Sequence, residues 1–353
     1  MKQPALLYSD PTSPVYSSCP SSAGRCRTST VCISTVMDSQ TLKKYVQGQK
    51  LANVSTLNLA SGITDASFMN EVLAHRLYRA AGVTSPRTSF ARVYITVADK
   101  YDREFFGLYS IVENIDKHFA KSVLSVEGGA IFKPVTPNLF AYLGQSWKRY
   151  NQTYDPRGNP NEQQLRRMID LCRFVTYAED PAFAERIGDF IDLDNLARYM
   201  ATMVYLSDFD GILGSGQTFY IHLHPETNKF SFIPWGQGRS FGPFRGTEEQ
   251  REQLSIQRPW RGNVRFLGHV FKVEAFKEQY LARLDEFSKP IFEPQRFADQ
   301  IDEIAAAIRP VVKEESAELL DRFDKVVAGE TIEPTEIGRR FGGRPSKPVK
   351  PFG

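Results

Sequence analysis

From Gln217 to Ile233 the chain carries two short alternating segments with a turn between them. Gln217-Thr218-Phe219-Tyr220-Ile221-His222-Leu223-His224 and Ser231-Phe232-Ile233 read as two strands, joined by Pro225-Glu226-Thr227-Asn228-Lys229. A hairpin here brings its two flanks together. Those flanks are Asp208-Phe209-Asp210-Gly211 in front and Ile233-Pro234-Trp235-Gly236-Gln237-Gly238-Arg239-Ser240-Phe241-Gly242 behind. Upstream, Leu196, Tyr199, Met200, Met203 and Val204 recur at helical spacing between Asp194 and Leu206, so an apolar-striped helix delivers the chain into the Asp208 loop.

The remainder organises around this unit. Residues 1–39 are rich in Ser, Thr and Pro without helical or strand periodicity and read as a disordered leader. Residues 42–59 look like strand material, and Asp65 or Ser67 can cap a helix carrying Met69, Val72, Leu73, Leu77 and Tyr78 that ends at Gly82. Two antiparallel strands follow, from Phe90 to Val97 and from Phe105 to Val112, and a third from Gly129 to Pro134 is expected to close the same small sheet. Helical patterns then run over Glu162–Thr176, Pro181–Gly188, Asp194–Leu206, Thr247–Gln253, Gly262–Lys289 and Pro294–Ala328. The Pro-rich basic stretch 331–353 reads as a flexible tail. The expected division is a partial small lobe at 40–145 and a helical large lobe at 146–330, an α+β arrangement.

Among 353 residues, 44 are basic and 41 acidic, a net charge of +3 that argues against a general nucleic-acid binder. No apolar run reaches the roughly 20 residues needed to span a bilayer. The N-terminus lacks a basic segment followed by an apolar one, so the chain reads as soluble and unprocessed, with the cytoplasm favoured. Cys19, Cys26, Cys32 and Cys172 lack zinc-site spacing and are expected to be free thiols, a leader disulfide remaining the alternative.

Phosphoryl transfer requires an acid to orient the acceptor hydroxyl, an amide or carboxylate for metal, and a second carboxylate on the metal that bridges the phosphates. Asp210 can fill the first role. The closing segment, with Gly236 and Gly238, offers no acid for the last.

Ordered segments extend this pattern: Leu57-Asn58-Leu59, Met69-Asn70-Glu71 through Ala81-Gly82-Val83, Phe106-Gly107-Leu108-Tyr109 through Val112-Glu113-Asn114-Ile115-Asp116, Gly129-Ala130-Ile131-Phe132-Lys133 and Asp208 to Gly242. In them the chain resembles the CotH-type atypical protein kinases, the family of spore coat protein H, over about three-quarters of its length and in the family's order. The resemblance implies a two-lobed kinase-like fold, with a small antiparallel-sheet lobe and a larger helical lobe bearing an active-site hairpin. It also implies ATP and magnesium as cofactors and Ser or Thr of other proteins as acceptors. Asp210 would be the catalytic-loop aspartate.

Three departures stand out. The hairpin of the most similar subgroup reads Gly-Gln-Asn-Phe-Tyr, against Gly216-Gln217-Thr218-Phe219-Tyr220 here, so Thr218 replaces a metal or phosphate ligand. The closing motif reads Ile-Pro-Trp-Asp-x-Asp-x-x-Phe-Gly, and both acids are glycine here. The family's upstream strands, with an Arg-x-Lys-Gly segment, find no match before about Leu42, which implies a truncated product with an unrelated leader or a small lobe of fewer strands.

Each candidate residue has a structural alternative. Asp210 could cap its own turn before Gly211. Lys133 could contact nucleotide phosphates or be a surface lysine beside a proline. Glu113 and Lys117 could form the ion pair that positions a phosphate-binding lysine, or be an ordinary i, i+4 pair on a solvated face. Asp208 and Gln217 could substitute for the missing metal ligands. Arg239 could repel a cation from the site or pair with Asp208 or Asp210. His222 and His224 share a strand face, which by itself says little about metal, and Trp147, Tyr150 and Tyr154 suggest an inter-lobe contact. The functional alternatives are an enzyme with an unconventional metal arrangement, a pseudokinase that binds partners, and a decayed copy that folds poorly.

Overall fold

The computed structural model describes residues 6–7, 29–30, 38–41, 56–62, 64–97, 99–214, 217–242, 255–330 and 332. The fold is α+β, and the chain divides into two compact units: Met1–Leu73, Arg87–Asn114 and Phe297–Gly353 form the first, Ala74–Pro86 and Ile115–Arg296 the second. Most of the expected leader, the tail and the helix over Thr247–Gln253 lie outside the described residues.

In the first unit β1 (Leu6–Leu7) pairs antiparallel with β2 (Ser29–Thr30). A separate sheet has the order β3 (Asp38–Thr41), β4 (Thr56–Ala60), β6 (Tyr101–Glu113), β5 (Thr88–Val97), every neighbour antiparallel. The expected pairing of β5 with β6 is present, with a register shift between Val93 and Tyr94 where Gly107 stands opposite. Gly107 has φ 131°, a backbone conformation that favours glycine, and a Cβ there would also come within 2.8 Å of Glu315 Oε2. Helix α1 (Asn70–Ala80) begins after a short loop in which Asp65 does the capping work. Its carboxylate accepts from Ser67 N at 2.9 Å and Asn70 N at 2.8 Å.

The second unit contains the sheet β10 (Phe230–Pro234), β9 (Phe219–Leu223), β7 (Ala130–Pro134), β8 (Tyr154–Arg157), again all antiparallel. This corrects the expectation that Gly129–Pro134 closes the small sheet. β7 is instead buried along almost its whole length between β8 and β9, and it follows α2 (Lys117–Ser122), which Asp116 caps. Helices α3 (Glu162–Tyr177), α4 (Asp180–Phe190) and α5 (Leu193–Tyr205) match the three expected helices closely. A capping box starts α3: Asn161 Oδ1 accepts from Gln164 N at 2.9 Å while Gln164 Oε1 accepts from Asn161 N at 2.8 Å. The core is aromatic. Within the second unit Tyr150 and Tyr154 are fully buried, and the half-buried Trp147 stacks on Tyr150 at 5.6 Å and packs on Phe132.

Two expected helices are each divided. The segment 262–289 becomes α6 (Arg265–Val270) and α7 (Glu274–Ser288), and the segment 294–328 becomes α8 (Pro294–Glu315) and α9 (Ala317–Val327). Ser316 makes the second break, its hydroxyl accepting from Leu319 N at 3.0 Å as the N-cap of α9. From Phe297 onward α8 and α9 belong to the first unit. Within that unit Glu315 at the end of α8 accepts the Leu108 N–H at 2.8 Å, and Glu314 pairs with Arg92. No helix among the described residues is long and apolar enough to cross a membrane.

Candidate functional site

The site lies wholly in the second unit, where α5, β7, β8 and the β9–β10 hairpin converge. Helix α5 ends at Tyr205, Ser207 turns with φ 48°, and Asp208 N returns to Met203 O at 3.2 Å. Asp208 is fully buried and accepts the Asp210 N–H at 2.9 Å, so it shapes the loop that presents Asp210. Beneath it lie Tyr78 and Tyr199, both fully buried and stacked at 5.6 Å. Burial pushes both phenols well up, and the Asp208 charge adds to the shift. The loop then tightens: a Cβ on Gly214 would sit 2.0 Å from Phe209 O, a distance only glycine permits.

The segment after β10 is tied to the same place. Phe241 N donates to Leu206 O at 2.5 Å, Ser240 N to Gln237 O at 3.0 Å, and the buried Gln237 side chain is held by Trp235 O and the Ser240 hydroxyl. Gly236 has φ 63°. This staple carries Arg239 to Asp210, with Nη1 at 3.3 Å from Oδ2. Of the two partners open to Arg239 in the sequence, the geometry selects Asp210.

Lys133 on β7 donates to the main-chain carbonyl of Gln217 and, at 3.4 Å, to that of Phe219. Its ammonium stands 5.3 Å from the Tyr220 ring centroid, and the Arg157 guanidinium on β8 stands 5.6 Å from the same centroid. Burial lowers the Lys133 pKa to about 8; Arg157 adds to that shift, while Asp210 and Asp155 oppose it. Asp155 in turn pairs with Arg157 at 3.4 Å. The Thr218 hydroxyl is buried without a hydrogen-bond partner among the described residues, and it lies 3.4 Å from where a Gly211 Cβ would be.

The fold thus assembles Asp208 and Asp210 of one loop, Lys133 of β7 and Gln217 at the start of the hairpin. The other two candidates are differently employed. Glu113 ends β6 in the first unit, where its carboxylate receives Nε of Arg87 at 2.9 Å; Lys117 is exposed in the first turn of α2. One residue ends a strand and the other starts a helix, so they are not an i, i+4 pair on a common helical face. Arg157 and Asp155 are site neighbours that sequence reading missed, because Tyr154-Asp155-Pro156-Arg157-Gly158 has the composition of a turn.

The residues present do not fit a magnesium ion. Magnesium requires a near-octahedral set of oxygens, and among the described residues no group of three His, Cys, Asp or Glu could hold a metal. Asp210 is paired with Arg239, the Gln217 carbonyl faces the Lys133 ammonium, and positions 236 and 238 bring no carboxylate. The histidines do not form a metal pair either. His224 Nδ1 accepts from Glu226 N and Thr227 N at 3.2 and 3.3 Å as part of the hairpin turn, and neither ring nitrogen of the buried His222 has a partner among the described residues. Cys172 is a free thiol buried against Tyr154, its pKa raised by burial to about 12, so it is chemically quiet.

Comparison with known proteins places these features in a family. The model of the family described as CotH kinase protein matches residues 36–327. The chain is also similar to inner spore coat protein H of Bacillus subtilis (strain 168), with 23% identity over 297 residues that cover 80% of this chain and 77% of that protein.

Proposed function

Since the chain belongs to the CotH kinase protein family, we propose that it is a kinase-like protein whose metal-dependent transfer of phosphate from ATP to Ser or Thr of other proteins is severely impaired. It acts chiefly by binding. The observation that carries this reading is the Asp210–Arg239 ion pair at 3.3 Å, in a loop whose positions 236 and 238 are both glycine. An aspartate that must accept a hydroxyl proton is here bound to a fixed cation, and the charge that would stabilise a phosphate-bridging metal is missing. Loss of one such electrostatic group costs on the order of a hundredfold or more in rate. Two acids and an amide are replaced together, so the loss compounds.

Lys133 and Asp210 remain electrostatic neighbours, which supports retention of anion binding after transfer is lost. A protein-binding role calls for an assembly partner rather than an acceptor substrate. The name of the Bacillus relative, a spore coat protein, supports that class of partner.

A magnesium-dependent phosphotransfer assay tests the reading, using the unaltered chain, its Asp210→Ala variant and the triple variant Thr218→Asn, Gly236→Asp, Gly238→Asp. The expected result is background transfer from the first two and a measurable gain in the third. Gly236→Asp places a side chain at φ 63°, which aspartate tolerates better than most residues. Robust transfer by the unaltered chain that disappears in Asp210→Ala would sink the proposal.

A further inference from the structure

We infer that Lys133, Arg157 and Arg239 stand in for a metal, and that they bind the phosphate chain of a nucleoside triphosphate or inorganic polyphosphate without any divalent cation. The inference rests on the impaired-transfer reading above and adds the ligand and its mode of binding.

Three observations support it. First, the cations come from three separate elements, β7, β8 and the loop after β10: Lys133 and Arg157 meet at the Tyr220 ring, and Arg239 pairs with Asp210, whose charge reaches Lys133. Lys133 and Arg157 lie close enough for one charge to depress the ionisation of the other, an arrangement that an anion between them would relieve. Second, two of the three cations are partly exposed while one of the neighbouring acids is not. The side chains of Arg157 and Arg239 are 37% and 34% exposed, whereas Asp208 is fully buried and turned into the loop backbone. Among the described residues Arg157 pairs with Asp155 and Arg239 with Asp210, while Lys133 is held by main-chain carbonyls. A phosphate oxygen entering here would meet two partly exposed guanidinium groups. Third, the donors suit phosphate. Guanidinium groups bind phosphate oxygens in a fork and ammonium groups bind them as point charges, and the unpartnered Thr218 hydroxyl adds a neutral donor beside the Asp210 loop.

Calorimetric binding of tripolyphosphate, ATP and adenosine to the full chain, in EDTA and then in excess magnesium, tests this. Tripolyphosphate and ATP should both bind in EDTA, with no gain when magnesium is added, and adenosine alone should not bind. Equal affinity for the two would identify the inorganic chain as the ligand recognised, and tighter ATP binding would identify a nucleotide; either outcome supports the inference. Lys133→Met, Arg157→Met and Arg239→Ala should each weaken binding at least about tenfold, as expected for loss of a charge-assisted contact. Lys133→Arg should restore most of the loss, and Lys272→Ala, at an exposed pair with Asp180, should change nothing. Binding that appears only with magnesium, no binding under either condition, or variants that bind like the unaltered chain would each overturn the inference. The readout is separate from phosphotransfer. A chain that binds in EDTA yet transfers phosphate with magnesium would keep this inference and reject the reading it rests on.

Discussion

At the scale of single residues, the site is decided by which charge each side chain meets. Asp210 and Lys133 were legible because they stand in recognisable segments, but the partner of Arg239 was not. Asp208 and Asp210 are two residues apart and sequence cannot choose between them; Asp208 is fully buried, and the partly buried Asp210 is the one that meets Arg239. His222 shows another consequence of burial. Its imidazole is enclosed on β9 without a hydrogen-bond partner among the described residues, and burial, with a smaller contribution from the neighbouring His224, lowers its pKa to about 4. The folded state therefore favours the neutral ring. Its contribution to stability is complete above the unfolded-state value near pH 6.5 and is lost as pH falls toward 4, by up to roughly 3 kcal/mol. Thermal melts should show a fall in stability from pH 7 to pH 5 that is clearly smaller in His222→Leu. An equal fall in both proteins would remove His222 as the cause.

At the scale of elements, local periodicity identified strands and helices but not their partners. β7 was recognisable as a strand, yet alternation carries no information about which sheet a strand joins, and β7 pairs with β8 and β9. Ser316 divides what looked like one long helix because a serine hydroxyl can cap a new one without interrupting the apolar spacing. That division places Glu314 and Glu315 at the end of α8, and their contributions should differ. Glu315 satisfies the N–H of Leu108, a residue only 2% exposed, whereas Glu314 pairs with Arg92 while remaining 43% exposed. Glu315→Ala should cost about 1–3 kcal/mol by stranding a buried donor. Glu314→Ala should cost less than about 1 kcal/mol, as exposed ion pairs do. Urea denaturation of the two variants checks the ordering, and equal losses would contradict it.

At the scale of the whole molecule, the α+β class and the family were readable because ordered motifs from Leu57 to Gly242 survive substitution. The division into units was less readable. The first unit is completed by α8 and α9, which lie some two hundred positions beyond its strands, as the Leu108–Glu315 separation of 207 residues shows. Long-range closure of this kind leaves no local signature. The site itself is drawn from residues 133 to 239 of the second unit, and its cations are as much a property of that fold as its aspartates are. The central claim is that fixed side-chain charge has replaced a metal there. Manganese binding by electron paramagnetic resonance, with ATP present, measures this most directly in the unaltered chain and in the Thr218→Asn, Gly236→Asp, Gly238→Asp variant. The account predicts no specific manganese site in the unaltered chain and the appearance of one in the variant. A tight site in the unaltered chain that disappears with Asp210→Asn would contradict it.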